Sequence, residues 1–535
     1  MNGNLYQAQN LIQALTNPSV YPHPVTQITI QETHISWVLL TGPFAYKIKK
    51  PVNLGFVDFS TLALRHHACL EELRLNRRLA PTLYLEVVSL TGTPQAPTFN
   101  GDTEPFEFAV KMRQFPLDAT LDHALPKGKV QNQHIDQLAK DLARFHASLP
   151  ASPESTSLGD PEVVGKTVMD VLDHFSQETQ PSDNRDFHRS LQQWLQQEHA
   201  HCDQAIANRK SQGFIRECHG DLHLGNVVLL DDIATPFDGI EFSERLRWID
   251  VMSDTSFFVV DCMAHGRRDF AARFLNAYLE HTGDYEGMAV IRFYEVYRAL
   301  VRAKIACIRL NQNQRPDDTS TSLAEEYHRY LTVAQRLAHP DPPSLIIMHG
   351  LSGSGKSTLS QNLLESMGMI RLRSDIERKR LCGLSPDLRR AREVKTELYG
   401  SDTTDALYHH LRNTAQRLLS SGYTVIVDAT FLKRHYRDLF RRLAEEEAVP
   451  FLILDVQSSL ATLQERITTR KEQQSDASEA DLAVLQQQQR QQEPLGENEQ
   501  TVTLRINSEE PFDPQKVIHA LRNKSGLPKK KREIR

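Results

Sequence analysis

The stretch Gly350-Leu351-Ser352-Gly353-Ser354-Gly355-Lys356-Ser357 fits G-x-x-x-x-G-K-[ST] and constrains this chain more than any other feature. A short apolar run, Leu345-Ile346-Ile347-Met348, reads as a buried strand before it. A helix-like run, Thr358-Leu359-Ser360-Gln361-Asn362-Leu363-Leu364, follows. Glycines at these places let backbone N–H groups converge on phosphate oxygens, where a Cβ would intrude. The helix N-terminus adds partial positive charge. The expected nucleotide-binding set is therefore Gly350, Leu351, Ser352, Gly353, Ser354, Gly355, Lys356, Ser357 and Thr358. Lys356 is placed to reach the β- and γ-phosphates, and the Ser357 hydroxyl to ligate Mg²⁺. A plain Gly/Ser turn before a helix is the bland alternative, but a lysine at that position serves no turn.

Two acids gain meaning from this neighbour. Thr424-Val425-Ile426-Val427-Asp428 is a β-branched run ending in a carboxylate, as expected of a metal-side acid at a strand C-terminus. Ser374-Asp375-Ile376-Glu377 fits a capping box, which predicts Asp375 in the first turn of a helix after a return strand at Met369–Leu372. Asp375 is either an ordinary helix-stabilising acid or a carboxylate at the ligand edge of an open α/β sheet, able to take a hydroxyl proton.

The loop, Asp375-Ile376-Glu377-Arg378 and Asp428-Ala429-Thr430 together resemble the small P-loop kinases, such as phage polynucleotide kinase, gluconate kinase and the zeta-toxin kinases. That resemblance spans about 344 to 515. It implies that Asp375 activates the acceptor hydroxyl and that Arg378 binds substrate. It also implies that Glu465–Arg470 is a lid whose Arg466 and Arg470 close over the transferring phosphate. A solvated i,i+4 helix face is the alternative for those two arginines.

Upstream, His219-Gly220-Asp221-Leu222-His223-Leu224-Gly225-Asn226 matches H-x-D-x-x-x-x-N. Asp238 follows twelve residues later. Ala45-Tyr46-Lys47 matches the A-x-K of a strand that pairs ATP phosphates, and Glu72 lies on a helical segment between. This order of Lys, Glu, Asp-Asn and Asp is the parts list of kinase-fold phosphotransfer. Asp221 would accept or orient the substrate proton. Asn226 and Asp238 would supply hard oxygen ligands to Mg²⁺. Lys47, held by Glu72, would place the α/β-phosphates of ATP. Lys49 and Lys50 leave a solvated basic strand open as an alternative, and Glu71 competes with Glu72. For His219 a structural role is expected rather than metal binding, since no Cys/His cluster accompanies it.

This segment, with Phe237-Asp238-Gly239-Ile240-Glu241, resembles the aminoglycoside phosphotransferase/choline kinase branch. With Lys47–Val52 and Leu75–Pro81, the chain from about 1 to 515 resembles bacterial proteins that fuse such a domain to a P-loop kinase domain. It departs from protein kinases in lacking G-x-G-x-x-G before Lys47 and A-P-E after Asp238; Asp250 and Asp254 stand at a helix start instead.

His339-Pro340-Asp341-Pro342-Pro343 is the clearest seam, because three prolines in five residues suit neither helix nor central strand. The expected architecture is multidomain. Residues 1–338 form an α+β, two-lobed, protein-kinase-like domain. Residues 344–520 form an α/β P-loop domain with a parallel sheet and a helical lid, and 521–535 a basic tail. The glutamine run Gln486–Gln492 reads as a solvated helix face. Among 535 residues the charge count is 62 − 68 = −6, which argues against a generic nucleic-acid coat. Six scattered cysteines without a C-x-x-C pair suit a reducing compartment. With no signal peptide and no long apolar run, a cytoplasmic chain is expected.

The expectation is a bifunctional ATP- and Mg²⁺-dependent phosphotransferase. Its acceptor is a small-molecule or nucleic-acid hydroxyl that the sequence does not name, with no membrane and no obligate protein partner evident. The rival is an N-terminal pseudokinase that senses a ligand and regulates a C-terminal kinase or ATPase.

Overall fold

The computed structural model describes residues 2–55, 57–178, 185–312, 318–384, 401–473 and 481–524. The basic run at 528–532 and Arg470's side chain lie outside what is described. The chain divides into two compact units. One is Met1–Asp170 with Asp203–Asp261, the other Val171–Cys202 with Cys262–Arg535. Among the described residues no helix is long and apolar enough to cross a membrane.

The first unit carries a six-stranded antiparallel sheet. Its order is Thr29–Glu32, Ser36–Leu40, Phe44–Lys49, Glu107–Arg113, Tyr84–Thr93 and Ala96–Phe99. Along Phe44–Lys49 the side chains alternate with period two. Tyr46 and Ile48 join a core with Trp37, Leu39, Val88 and Leu90, beside Leu11 and Leu15 of the first helix. The other face, with Ala45, packs on Cys69, Leu83, Tyr84 and Val110. Lys47 and Lys49 share that second face, and so meet the Leu62–Asn76 helix that carries Glu72. Thr61 caps this helix by accepting the Leu64 N–H at 3.3 Å. The solvated basic strand is excluded: Lys49 is fully buried and Lys50 pairs with Glu32 at 2.5 Å.

A hairpin of Val227–Leu230 and Ile233–Pro236 stands between the H-x-D-x-x-x-x-N segment and Asp238. The helix Val251–Ala264 follows, buried along its length and carrying Asp254 and Asp261.

The second unit contains a fully parallel sheet. Its order is Ile370–Arg373, Val425–Asp428, Leu345–His349, Phe451–Gln457 and Thr503–Asn507. The central Leu345–His349 strand is buried throughout, so its sequence is a near-continuous apolar run rather than an alternating one. Ile346, Met348, Leu363, Leu364, Ile426 and Leu454 share one core, each fully buried aliphatic contributing roughly 1.5–3 kcal/mol.

The seam expected at His339–Pro343 lies inside this unit, and packing explains why. Ala272 of the Arg268–Thr282 helix belongs to the sheet's core. Asn276 on the same helix works as a surrogate strand neighbour: its Nδ2 donates to the Met369 carbonyl at 2.9 Å and its Oδ1 accepts the Arg371 N–H at 2.7 Å. Arg371 then donates twice to Glu280 Oε1. Arg292 of the Met288–Gln312 helix donates to the carbonyls of Ser421 and Gly422.

The capping box at Ser374 does not form. The helix Ser374–Leu381 does carry Asp375 in its first turn, but Arg373 holds the cap position without a side-chain bond. Glu377 is buried and turns inward to Arg380 and to His410, the latter at 3.0 Å.

Candidate active sites

In the first unit, residues far apart in sequence converge. Lys47 Nζ donates to Glu72 Oε1 at 2.8 Å and to Asp238 Oδ1 at 2.5 Å. Asn226 Nδ2 donates to the Asp221 carbonyl and to Asp221 Oδ2, both at 3.0 Å. His219 links the two segments: its Nε2–H donates to the Phe237 carbonyl at 2.8 Å, while its Nδ1 accepts the Asp221 N–H at 3.3 Å. Burial depresses the His219 pKa, which keeps the ring neutral and suits this paired donor and acceptor role. Asp238 sits at φ +60°, a left-handed conformation that its hydrogen-bonded neighbours hold. Its own N–H donates to Tyr84 Oη at 3.1 Å, and the Gly239 N–H to Asn76 Oδ1 at 2.8 Å.

Lys49 extends the charge cluster. It meets Glu72 Oε2 at 2.5 Å and pairs with Glu241. Burial opposes ionisation of Glu72, but Lys47 and Lys49 overcome it and hold that carboxyl well below its usual range. Glu241 goes the other way: burial and the like charges of Glu72 and Asp238 raise it against the pull of Lys49 and Lys47. Burial works against Lys47, yet Asp238, Glu72 and Glu241 raise its pKa further, so the ammonium is fixed as a cation. Glu71, the competing partner, instead pairs with Arg74 at 2.8 Å.

A fully buried carboxylate braces the loop. Asp254 accepts the His219 N–H at 3.1 Å and the Gly220 N–H at 2.8 Å, and pairs with His146 Nε2 at 3.1 Å. Asp261 accepts the Leu224 N–H at 2.7 Å. At Gly220 φ is +86° and a Cβ would stand 2.8 Å from the Leu246 carbonyl oxygen, so glycine is required. Asp250 caps the next helix through the Met252 N–H and binds Arg209 with both oxygens, at 2.7 and 2.8 Å. His146, Cys218 and Asp254 come within 4.8 Å of one another, but the Asp254 oxygens are already engaged by the loop.

In the second unit the loop Gly350–Gly355 joins the central strand to the helix Lys356–Met367. A Cβ at Gly350 would lie 2.5 Å from the Val456 carbonyl oxygen, and one at Gly353 2.9 Å from that of Leu463. Glycine is thus demanded here by the adjoining strand and helix as well as by phosphate. Lys356 is buried, and its Nζ donates to the Leu351 carbonyl at 2.8 Å. Leu351 and Ser352 line the loop, Ser354 Oγ stands 3.5 Å from Lys356 Nζ, and Ser357 and Thr358 begin the helix. One turn on, Ser360 Oγ lies 3.2 Å from Asp428 Oδ2 and 3.1 Å from the Ser357 carbonyl oxygen, and its single proton can go to either.

Strand register brings Asp375 to the same edge. Arg373 pairs with Asp428 across the parallel ladder, and Asp375 starts the helix two residues beyond. Tyr408 Oη accepts the Phe431 N–H at 3.2 Å, and the charges of Asp375 and Arg378 both reach this buried hydroxyl. Asp375, Arg378 and the 428–431 loop therefore share one neighbourhood. Arg466 is not on a solvated face. It donates to Ser508 Oγ at 2.9 Å, to Ser458 Oγ at 3.1 Å and to the Gly353 carbonyl at 3.3 Å, against the phosphate loop.

The comparisons with known proteins follow this division. A family model described as a phosphotransferase enzyme family matches residues 62–294, and one described as an AAA domain matches 345–495. The chain thus joins a phosphotransferase-type kinase fold to a P-loop kinase-like fold. An uncharacterized protein of Mycobacterium tuberculosis is 29% identical over 471 residues, 86% of this chain and 91% of that protein; one of Mycobacterium bovis matches equally. Among solved structures, a choline/ethanolamine kinase family protein from Mesorhizobium loti is 14% identical and covers 61% of this chain and 98% of its own, with a TM-score of 0.35. The APS kinase of Mycobacterium tuberculosis is 21% identical over 34% of this chain and 99% of its own, with a TM-score of 0.25.

Asp254 was noted at a helix start, but its bracing of the His219–Gly220 loop, and the role of Asp261, were not anticipated. Asp254 and Asp261 are spaced seven apart in a mostly apolar helix, two turns on one face, which is a legible sign of acids with buried partners. The Lys49–Glu241 pair and Asn276 gave no comparable signal, because the Lys49–Glu241 contact spans 192 residues and the Asn276 contacts with Met369 and Arg371 span 93 and 95.

Proposed function

We propose that the chain is an ATP-dependent phosphotransferase with two kinase sites, each moving the γ-phosphoryl group of ATP to a hydroxyl. The contact that carries this reading is Lys47 between Glu72 and Asp238, the latter 191 residues away, with the residue before Asp238, Phe237, bonded through its backbone to Asn226 and His219. In the first unit Asp221 takes the acceptor's hydroxyl proton as that oxygen bonds to phosphorus and the bond to the ADP oxygen breaks. Lys47 orients the phosphates. Asn226 and Asp238 offer only hard oxygens to a cation, and the Asp238 side chain is 40% exposed, which fits Mg²⁺. In the second unit Lys356, Arg466 and the loop N–H groups offset phosphate charge, while Asp375 takes the proton and Arg378 holds an anionic part of the acceptor. Ser357 and Asp428 would hold its Mg²⁺. Such an ion, when bound, would supply positive charge to offset that of the phosphates.

Transfer from γ-labelled ATP into a fractionated metabolite pool tests the reading, with Asp221→Asn and Asp375→Asn as separate controls. Each should abolish a different set of labelled products. An N-terminal module that only senses ligand would leave the Asp221→Asn pattern unchanged.

A further inference from the structure

The helix Leu482–Gln491 offers a residue to the phosphate loop that its sequence hides. The Ser352 N–H, one of the loop's own backbone donors, donates to Gln488 Oε1 at 2.9 Å. A backbone N–H has no other role than donor, so the acceptor atom is the amide oxygen by necessity. The glutamine run expected to be solvated is therefore turned partly inward, and the cause is spacing. Gln488 lies three residues after Leu485, on the same helix face. Leu485 is buried in a small apolar cluster with Leu463, Ile467 and Leu351, the last a residue of the phosphate loop itself. At its far end the helix is tied down independently: the Glu493 N–H donates to the Leu432 carbonyl at 2.9 Å, four residues beyond Asp428. The helix thus spans from the phosphate loop to the segment after the metal-side acid, and Gln488 is its polar contact with the loop.

One N–H hydrogen serves one strong acceptor at a time. For Ser352 that acceptor is a neutral amide oxygen, and an anionic phosphate oxygen would bond to such an N–H more strongly. We propose that Gln488 is a nucleotide-site residue. Its amide oxygen holds the Leu482–Gln491 helix to the loop and is exchanged for a phosphate oxygen of the nucleotide on binding. The ligand class is a nucleoside triphosphate, and the inference rests on the reading of Gly350–Ser357 as a phosphate cradle. Gln488 is a competitor for one donor, so removing its oxygen strengthens nucleotide binding. A carboxylate at 488 keeps the acceptor, adds negative charge beside the phosphates and weakens binding.

Full-length chain titrated with the β,γ-imido analogue of ATP, followed by hydrogen exchange in a peptide covering 345–360, reads this loop apart from the first unit. In Gln488→Ala the midpoint should fall roughly 2- to 10-fold, the worth of one exchanged hydrogen bond. In Gln488→Glu it should rise by a similar factor or more. Leu485 and the Glu493–Leu432 bond keep the helix docked in both. An unchanged or raised midpoint in Gln488→Ala, with the response still abolished by Lys356→Ala, overturns the exchange and leaves the nucleotide site standing. A protection change that persists in Lys356→Ala overturns both.

Discussion

Asp254 Oδ1 accepts the backbone N–H of Gly220 at 2.8 Å, so the loop carrying Asp221 hangs from a carboxylate that is fully buried behind it. Asp254→Ala should strand two buried N–H groups and His146. The expected cost is on the order of 2–5 kcal/mol of the first unit's stability, with phosphotransfer by that unit lost before unfolding is complete. Thermal unfolding measured alongside transfer checks both. Unfolding like wild type would mean the loop is held by other contacts.

Lys49 is the second buried cation on Glu72. Lys49→Met leaves Glu72 and Glu241 facing each other with one lysine fewer, a loss of roughly 3–5 kcal/mol. Adding Glu241→Gln should restore much of it, since the double variant removes the charge left over. Denaturation of the four-member cycle measures the coupling. Additive losses would show that Lys49 acts through packing alone.

Asn276→Ala should loosen the edge of the second unit's sheet. The change leaves the Met369 carbonyl and the Arg371 N–H without their partner, at about 2–4 kcal/mol. Hydrogen exchange at residues 369–373 should accelerate. No change there would contradict the role of Asn276 as a strand surrogate.

Glu295, buried on the Met288–Gln312 helix, gives a pH dependence of definite sign. Burial raises its carboxyl from 4.5 to about 7, against the pull of Arg292. Between those values the folded chain keeps a proton that the unfolded chain has lost, so stability falls as pH rises through that window and levels off above it. Glu295→Gln should therefore stabilise the second unit at pH 8 by at most about 3 kcal/mol, and have little effect near pH 4. Urea unfolding at the two pH values decides it. An equal effect at both would rule out the proton.

Much of the architecture was legible because phosphate chemistry imposes local patterns. Gly350–Ser357 announced a strand, a loop and a helix, and all three stand where the spacing put them. Lys47, Asp221, Asn226 and Asp238 were singled out by their order along the chain, and the fold brings Lys47 onto Asp238 and Asn226 onto Asp221. Long-range partners were not legible. The glutamine run concealed Gln488, since the inward turn depends on Leu485 finding Leu351 more than a hundred residues away. The prolines at 340–343 signalled a break in the chain but not in the packing, which Asn276 and Glu280 carry across it. Glu377 left the capping box because His410 and Arg380 gave it a buried alternative.

Two hydroxyl-directed kinase sites on one chain, as proposed, should be separable by single substitutions. The direct measurement is γ-phosphoryl transfer from labelled ATP by the full-length protein, its Asp221→Asn and Asp375→Asn variants, and the double variant. Each single variant should lose one set of products by about 10²–10⁴ in rate, the usual worth of a positioned general base, while the double variant loses both. Full transfer by the double variant, or loss of every product in either single variant, would contradict it.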